Sequence, residues 1–277
     1  MVDLTKELIG AHSAPKLVGR DISQQEYREA EGLSASDCKA LLDDAYSYKM
    51  GIRPPKSKAL GLGSAIHCLV LEPQNFERDF IVMPEDLNAR TKEGKALKSE
   101  LEARAEAERK ELISSKDFSE ASKVAEAVLG SEIGDFFKNG FAEQSYFGEV
   151  FGRPAKCRPD YFLEQAKIVI DLKTTAKGGS EPNAFAKACA TYNYHLQARF
   201  YMELLGAERF LFVAVEKETP YRIGCYELDI HALELGKQKI ERAYGIYDRL
   251  EEIQQIRRDS EGNIAQLLAL PTWANYD

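Results

Sequence analysis

No apolar run in this chain approaches the roughly 18 consecutive positions that a membrane-spanning helix needs. The opening MVDLTKELIGAHSAPK has neither the apolar centre nor the small-residue cleavage site of a secretory signal. A cytoplasmic protein with no membrane partner is therefore expected. Thiol chemistry is also short of material. The five cysteines (Cys38, Cys68, Cys157, Cys189 and Cys225) are odd in number, scattered, and never paired as C-x-x-C. That argues against a disulfide framework, a thiolate metal site or an iron–sulfur cluster. No internal repeat and no low-complexity segment is visible.

A surplus of positive charge is missing as well. Lys and Arg number 37 against 45 Asp and Glu, for a net charge of −8. Such a balance normally counts against nucleic acid, whose phosphates are held mainly by Lys and Arg. The deficit is not uniform. From 153 to 177 the basic residues Arg153, Lys156, Arg158, Lys167, Lys173 and Lys177 outnumber Asp160, Glu164 and Asp171. IRPPKSK (52–58) and ARTKEGKALKSE, with Lys92, are further basic runs. An acidic exterior with a basic lining would steer a polyanion into a cleft; the alternative for each run is a solvated face.

What the chain does have is 277 residues, 44% of them hydrophobic and 10% aromatic, enough for a sizeable core in one large α/β domain or two small ones. Residues 1–25 read as an N-terminal arm ahead of a single domain over 26–277. Ser34 or Ser36 can cap a helix carrying Leu41, Leu42 and Tyr46. SAIHCLVLEP is a short, almost wholly apolar helix that must be buried, and 92–129 reads as an exposed helical pair broken near ISSKDFS. Strands follow over 143–152, AKCRPDYFL and KIVIDLKTT, then a helix over 183–205 stopped at Gly206, two more strands around Pro220, and a long closing helix. This order predicts an α/β fold with a mixed central sheet flanked by helices.

Within it, AKCRPDYFLEQAKIVIDLKTT places Asp160 inside one apolar run and Asp171 and Lys173 at the end of the next. Strand alternation points Asp171 and Lys173 to one face, and a short antiparallel turn brings Asp160 to the same edge. Pro159 cannot donate to a ladder and marks a break before Asp160. Buried carboxylates need a partner, and two hard oxygens suit Mg²⁺ or Mn²⁺ better than Zn²⁺. A neighbouring Lys can orient water and offset charge on a phosphorane-like transition state. The alternative is a surface hairpin with a salt bridge. His67 is either a core histidine or a neutral ligand. Gln197 and Tyr201, at i and i+4, share one helix face, as a site pair or an ordinary surface pair. Glu143 is either a third carboxylate or a strand-end charge.

Taken in order, GSAIHCLVLEP, CRPDYF, IVIDLKTT and YHLQARFY resemble the PD-(D/E)xK nuclease superfamily. LSASD, RTKEGKA, VEKETPY and LPTWA narrow the resemblance to RecE (exonuclease VIII)-like exodeoxyribonucleases of phage and prophage type. The resemblance implies a restriction-endonuclease-like core and a Mg²⁺-dependent exonuclease, with Mn²⁺ substituting. Such an enzyme degrades linear double-stranded DNA from the 5′ end and leaves 3′ overhangs for a single-strand-annealing recombinase. It further implies metal binding by His67, Asp160, Asp171 and the Leu172 carbonyl, water activation by Lys173, and supporting roles for Gln197 and Tyr201. By likeness to lambda-type exonucleases, Ser36 would contact DNA phosphate; where those enzymes carry Ser before the Pro-Asp this chain has Arg158, which would bind phosphate by its charge, and Lys92 in the basic run is a third expected contact. A ring-shaped homotetramer is implied, with a trimer second. The rival expectations are a structure-specific or restriction-type endonuclease, and a non-catalytic DNA-binding protein on the same fold.

Overall fold

The computed structural model of the chain describes residues 18–20, 22–52, 60–88, 90–257, 261–269 and 271. Most of IRPPKSK and LPTWA, and positions 1–17 of the expected arm, lie outside them. The first half is mainly helical: β1 (Val18–Arg20), α1 (Gln24–Glu29), α2 (Ala35–Lys49), α3 (Leu60–Leu71), α4 (Phe76–Asp79), β2 (Phe80–Val82), α5 (Lys92–Glu108), β3 (Glu111–Ile113) and α6 (Ser115–Leu129). Strands then dominate: β4 (Phe141–Ala142), β5 (Ser145–Val150), β6 (Arg153–Cys157), β7 (Tyr161–Leu163) and β8 (Ile168–Thr175). They are followed by α7 (Pro182–Thr191), α8 (Tyr194–Leu205), β9 (Arg209–Glu216), β10 (Ile223–Tyr226) and α9 (Ile230–Asp248).

The central sheet runs β10-β9-β8-β7-β4, parallel between β8 and β9 and antiparallel elsewhere. β9 is apolar on both faces, as a strand covered from both sides must be, and so is β8 at Val169 and Ile170, ahead of Asp171. Val169, Phe210 and Phe212 pack toward α2, α8 and α9; Ile170, Leu172, Leu211 and Val213 pack toward α3 and α6. Each large side chain buried this fully contributes about 1.5–3 kcal/mol, so β8 is held rigidly from both faces. An antiparallel three-stranded sheet, β1-β5-β6, stands beside this core. Leu33 ties α2 to it: its N–H donates to Pro154 O at 3.1 Å and its C=O accepts from Lys156 N at 2.9 Å. Gly32, at φ 101°, allows that approach, since a Cβ there would meet the Ala155 backbone at 3.0 Å.

Four expectations change. AKCRPDYFL is not one strand: β6 and β7 belong to different sheets, and the chain crosses between them at Arg158-Pro159-Asp160. The helix expected over 183–205 breaks at Asn193, which adopts the left-handed conformation (φ 53°, ψ 43°), a region Asn tolerates better than most residues. Of the expected exposed pair, α6 is core, with Ala121, Val124, Ala125 and Val128 buried at i, i+3, i+4 and i+7. The basic stretch 153–177 is largely neutralised within the chain: Arg153 forks onto Asp248 at 2.6 Å through both terminal nitrogens, Lys167 meets Glu208 at 3.0 Å, and Lys173 meets Asp171 at 2.6 Å. Lys156 donates to backbone carbonyls at the end of α1. The exposed Lys177 has no such task among the described residues.

Candidate active site

β7 accompanies β8 only from Ile168 to Ile170, so beyond Ile170 that edge of β8 has no strand partner among the described residues. Asp160, just before β7, takes the partner's place: its Oδ2 accepts the Leu172 N–H at 2.7 Å. N–H and C=O of one strand residue point to the same side, so the Leu172 carbonyl turns toward the same edge. From α3, His67 brings Nδ1 to 3.6 Å from Asp160 Oδ2. β4 pairs with β7, and the next residue, Glu143, donates its N–H to Asp160 O at 3.1 Å. Glu143 sits at φ 46°, an uncommon conformation for a non-glycine residue that the flanking pairing imposes. The ligating atoms of His67, Glu143 and Asp160 all lie within 4.8 Å of one another.

Asp171 lies beside this group and faces α8. Its side chain is 1% exposed; Oδ1 accepts from Gln197 Nε2 at 2.6 Å, and Oδ2 meets the Lys173 ammonium at 2.6 Å with no further partner. Burial raises the Asp171 pKa, Lys173 opposing that rise and Asp160 adding to it. Burial pulls Lys173 down, but the charges of Asp171 and Asp160 outweigh it and hold the ammonium above its usual value. Glu143 is pushed up to about 8, first by burial and then by the charge of Asp160. Three carboxylates thus crowd one edge with too little positive charge among them. A divalent cation fits that deficit, and carboxylates with one imidazole and a carbonyl are a donor set suited to a hard or borderline ion. The candidate ligands are His67, Glu143, Asp160, Asp171 and the Leu172 carbonyl.

Behind the acids stands a second layer. Gln197 Oε1 accepts from Lys39 Nζ at 3.1 Å, which leaves its amide nitrogen facing Asp171. One turn on, Tyr201 donates its hydroxyl to Arg158 O at 3.3 Å, steadying the crossing that presents Asp160. Lys39 was invisible as a site residue in the sequence, being one lysine in a helix. Burial, then the charge of Lys173, lowers it to about 8. Tyr194 was likewise unmarked, yet its ring centroid lies 4.8 Å from Lys173 Nζ and 5.5 Å from Lys39 Nζ.

The other sequence-derived residues stand apart. Ser36 is exposed in the first turn of α2, where Ser34, boxed with Asp37, is the cap. Lys92 is exposed at the start of α5, an element that does not build the cluster. Arg158, expected to meet phosphate, spends its guanidinium inside the chain: Nε donates to Ser145 Oγ at 2.9 Å, Nη1 to Gln24 Oε1 at 2.6 Å and Nη2 to Ile22 O at 2.5 Å, over the Tyr27 ring. It fastens the segment before α1 to β5.

No curated protein matches the chain. Among solved structures, it resembles a candidate exonuclease from Eubacterium rectale at 16% identity and a TM-score of 0.59, covering 91% of this chain and 96% of that one. A phage-related exonuclease from Haemophilus somnus aligns at 16% identity and a TM-score of 0.37, covering 80% and 96% respectively. Residues 35–262 match the model of the PDDEXK-like domain of unknown function (DUF3799). That span contains the His67 helix, the Asp160 crossing, the Asp171–Lys173 strand and the Gln197–Tyr201 helix, and the chain belongs to this PDDEXK-like family.

Proposed function

We propose that the chain is a metal-dependent exodeoxyribonuclease that degrades linear double-stranded DNA from 5′ to 3′. The observation that carries the reading is the convergence of His67, Glu143 and Asp160 within 4.8 Å beside the buried Asp171–Lys173 pair. Metal-assisted phosphodiester hydrolysis is served by hard cation ligands and a positioned ammonium at one point, and this edge of β8 offers both. A divalent ion, Mg²⁺ with Mn²⁺ substituting, would be held by His67, Asp160, Asp171 and the Leu172 carbonyl, with Glu143 as a further acid, and would supply Lewis-acid polarisation of the scissile phosphate.

The chain's own groups do the rest. Lys173, kept charged by its carboxylate neighbours, orients the attacking water and offsets charge building on the phosphoryl oxygens. Gln197 and Lys39 hold Asp171 in register; Tyr201 holds the Arg158–Asp160 crossing. The 5′-to-3′ polarity, the 3′ overhangs and the hand-over to an annealing recombinase extend the likeness to RecE-like enzymes. So do a homotetrameric ring, with a trimer second, and action in the cytoplasm by a single domain over 26–277 behind an arm at 1–25. DNA contacts at Ser36 and Lys92 belong to the same reading. Arg158 joins them only by giving up its bonds to Ile22 and Gln24.

The test is digestion, in Mg²⁺, of linear duplex labelled at either end, beside covalently closed circles and an Asp160→Ala control. The reading expects early release of the 5′ label, intact circles and an inactive control. Early release of the 3′ label overturns the polarity, nicked circles favour an endonuclease, and an active Asp160→Ala variant overturns the site.

A further inference from the structure

Between α7 and α8 the chain turns through Asn193, whose left-handed backbone is secured by Lys239 Nζ donating to Asn193 Oδ1 at 2.5 Å. The turn brings the rings on either side of it together: Tyr192 and Tyr194 have centroids 5.7 Å apart at an interplanar angle of 32°. Tyr194 is wedged from below, stacked on Phe212 at 5.7 Å and tilted against Phe185 at 6.1 Å. Lys173 Nζ lies 4.8 Å from its centroid and Lys39 Nζ 5.5 Å. Tyr192 is the outer ring and is 60% exposed. A lone exposed Tyr needs no explanation. This one caps a rigid aromatic pile whose inner member touches the lysine beside the metal-ligand cluster.

We propose that Tyr192 is a stacking platform for an unpaired nucleobase of the DNA strand bound at the cluster. The inference rests on the nuclease reading and extends it to how the strand is held. Bases stack on aromatic rings regardless of sequence, which suits an enzyme that must pass every base. The contacts of 5.7 and 4.8 Å that meet at the Tyr194 ring put the Tyr192 ring at most about three stacked nucleotide steps of about 3.4 Å from the Lys173 ammonium. The platform therefore serves a base a few positions from the scissile phosphate. Lys39 and Lys173 add attraction for the backbone on the inner side of the same pile, and the anchoring of Asn193 pre-orders the surface before DNA arrives.

The test pairs a change in the protein with a change in the DNA. In an Asp160→Asn background, expected to bind without cutting, affinity in Mg²⁺ is measured for a short duplex with a single-stranded end. One abasic site is moved along each strand in turn. One abasic position should weaken binding roughly 5- to 150-fold, the range for one base on one ring. That loss should vanish when Tyr192→Ala is added and persist with Tyr192→Phe. Because Tyr192 is exposed, the urea midpoint should not move. A flat abasic scan, or an abasic penalty unchanged by Tyr192→Ala, overturns the platform. So does a Tyr192→Ala variant that only alters the oligomeric state in sedimentation, which would make the ring an interface between copies. Wild-type digestion of intact linear duplex, run in parallel, separates the two claims: digestion with a flat scan leaves the nuclease and removes the platform. Absent digestion with a Tyr192-dependent abasic penalty does the reverse.

Discussion

Gln197 donates its amide N–H to Asp171 Oδ1 at 2.6 Å, and the direction of that bond depends on Lys39 occupying the amide oxygen at 3.1 Å. A buried carboxylate oxygen has lost water and must be met by a donor; an amide turned over would present oxygen instead. Gln197→Ala should therefore lower the rate of DNA hydrolysis 10- to 100-fold, the usual cost of losing a group that orients a ligand. Stability should fall by about 1–3 kcal/mol, read by urea denaturation. Lys39→Met should reproduce part of the rate loss, and the double variant should lose less than the two combined, since both act on one bond. Wild-type rates in Gln197→Ala would remove the residue from the site.

Glu143 gives a pH dependence with a definite sign. Its pKa is pushed up to about 8 by burial and by Asp160, from an ordinary carboxyl value of 4.5. Between those values the folded protein binds more protons than the unfolded one, so this group's contribution to stability falls as pH rises through that window and is lost above about 8. In chelator, the melting temperature of wild type relative to Glu143→Gln should drop from pH 5 to pH 8. A divalent cation favours the ionised carboxylate and should reverse the trend. Parallel melting curves for the two proteins across that range would contradict the assignment.

How much of this was legible beforehand varies with how local the cause is. The alternation of Ile170, Asp171, Leu172 and Lys173 is written in the strand itself, and the two faces follow from period two. The i, i+4 spacing of Gln197 and Tyr201 likewise placed them on one helix face before any partner was known. The sheet change at Arg158 was half legible: Pro159 marks the interruption before Asp160, but AKC and DYF continue one strand-like pattern and only pairing with β5 and β8 assigns them to different sheets. Nor was the break at Asn193, where an amphipathic pattern runs through and a contact with Lys239 secures the turn. The buried stripe of α6 was present in the sequence but obscured by its Lys, Glu and Ser neighbours. Lys39 and Tyr194 carry no local mark; only the packing of α2 and α8 on β8 reveals them.

Arg158 is better placed to hold the N-terminal segment than to hold DNA. Its planar fork meets Ser145, Gln24 and Ile22 together, a pattern that a lysine's point charge does not match. Arg158→Ala should lose about 1–3 kcal/mol of stability through these charged bonds and speed limited tryptic cleavage after the exposed Arg28. Arg158→Lys should recover less than half of the protection. If Arg158→Ala leaves cleavage at Arg28 unchanged while weakening DNA binding, the anchoring role gives way to a phosphate contact.

Tyr201 tests whether the Asp160 crossing must be held from behind. Its hydroxyl donates to the Arg158 carbonyl at 3.3 Å, two residues before the carboxylate that faces both His67 and the Leu172 N–H. The bond is long, so Tyr201→Phe should cost only about 1 kcal/mol of stability. The ring, 6.1 Å from Phe210, keeps its packing. The effect on hydrolysis should exceed what that small loss of folded protein explains, because loosening the crossing moves Asp160 against three neighbours at once and geometry at such a site is steeply felt. A fall in kcat with KM unchanged, together with weaker Mg²⁺ dependence of the melting temperature, is the expected signature. Equal kcat and equal Mg²⁺ response in Tyr201→Phe would reduce the hydroxyl to an ordinary packing-face hydrogen bond and leave Pro159 and the β7 pairing as the groups that present Asp160.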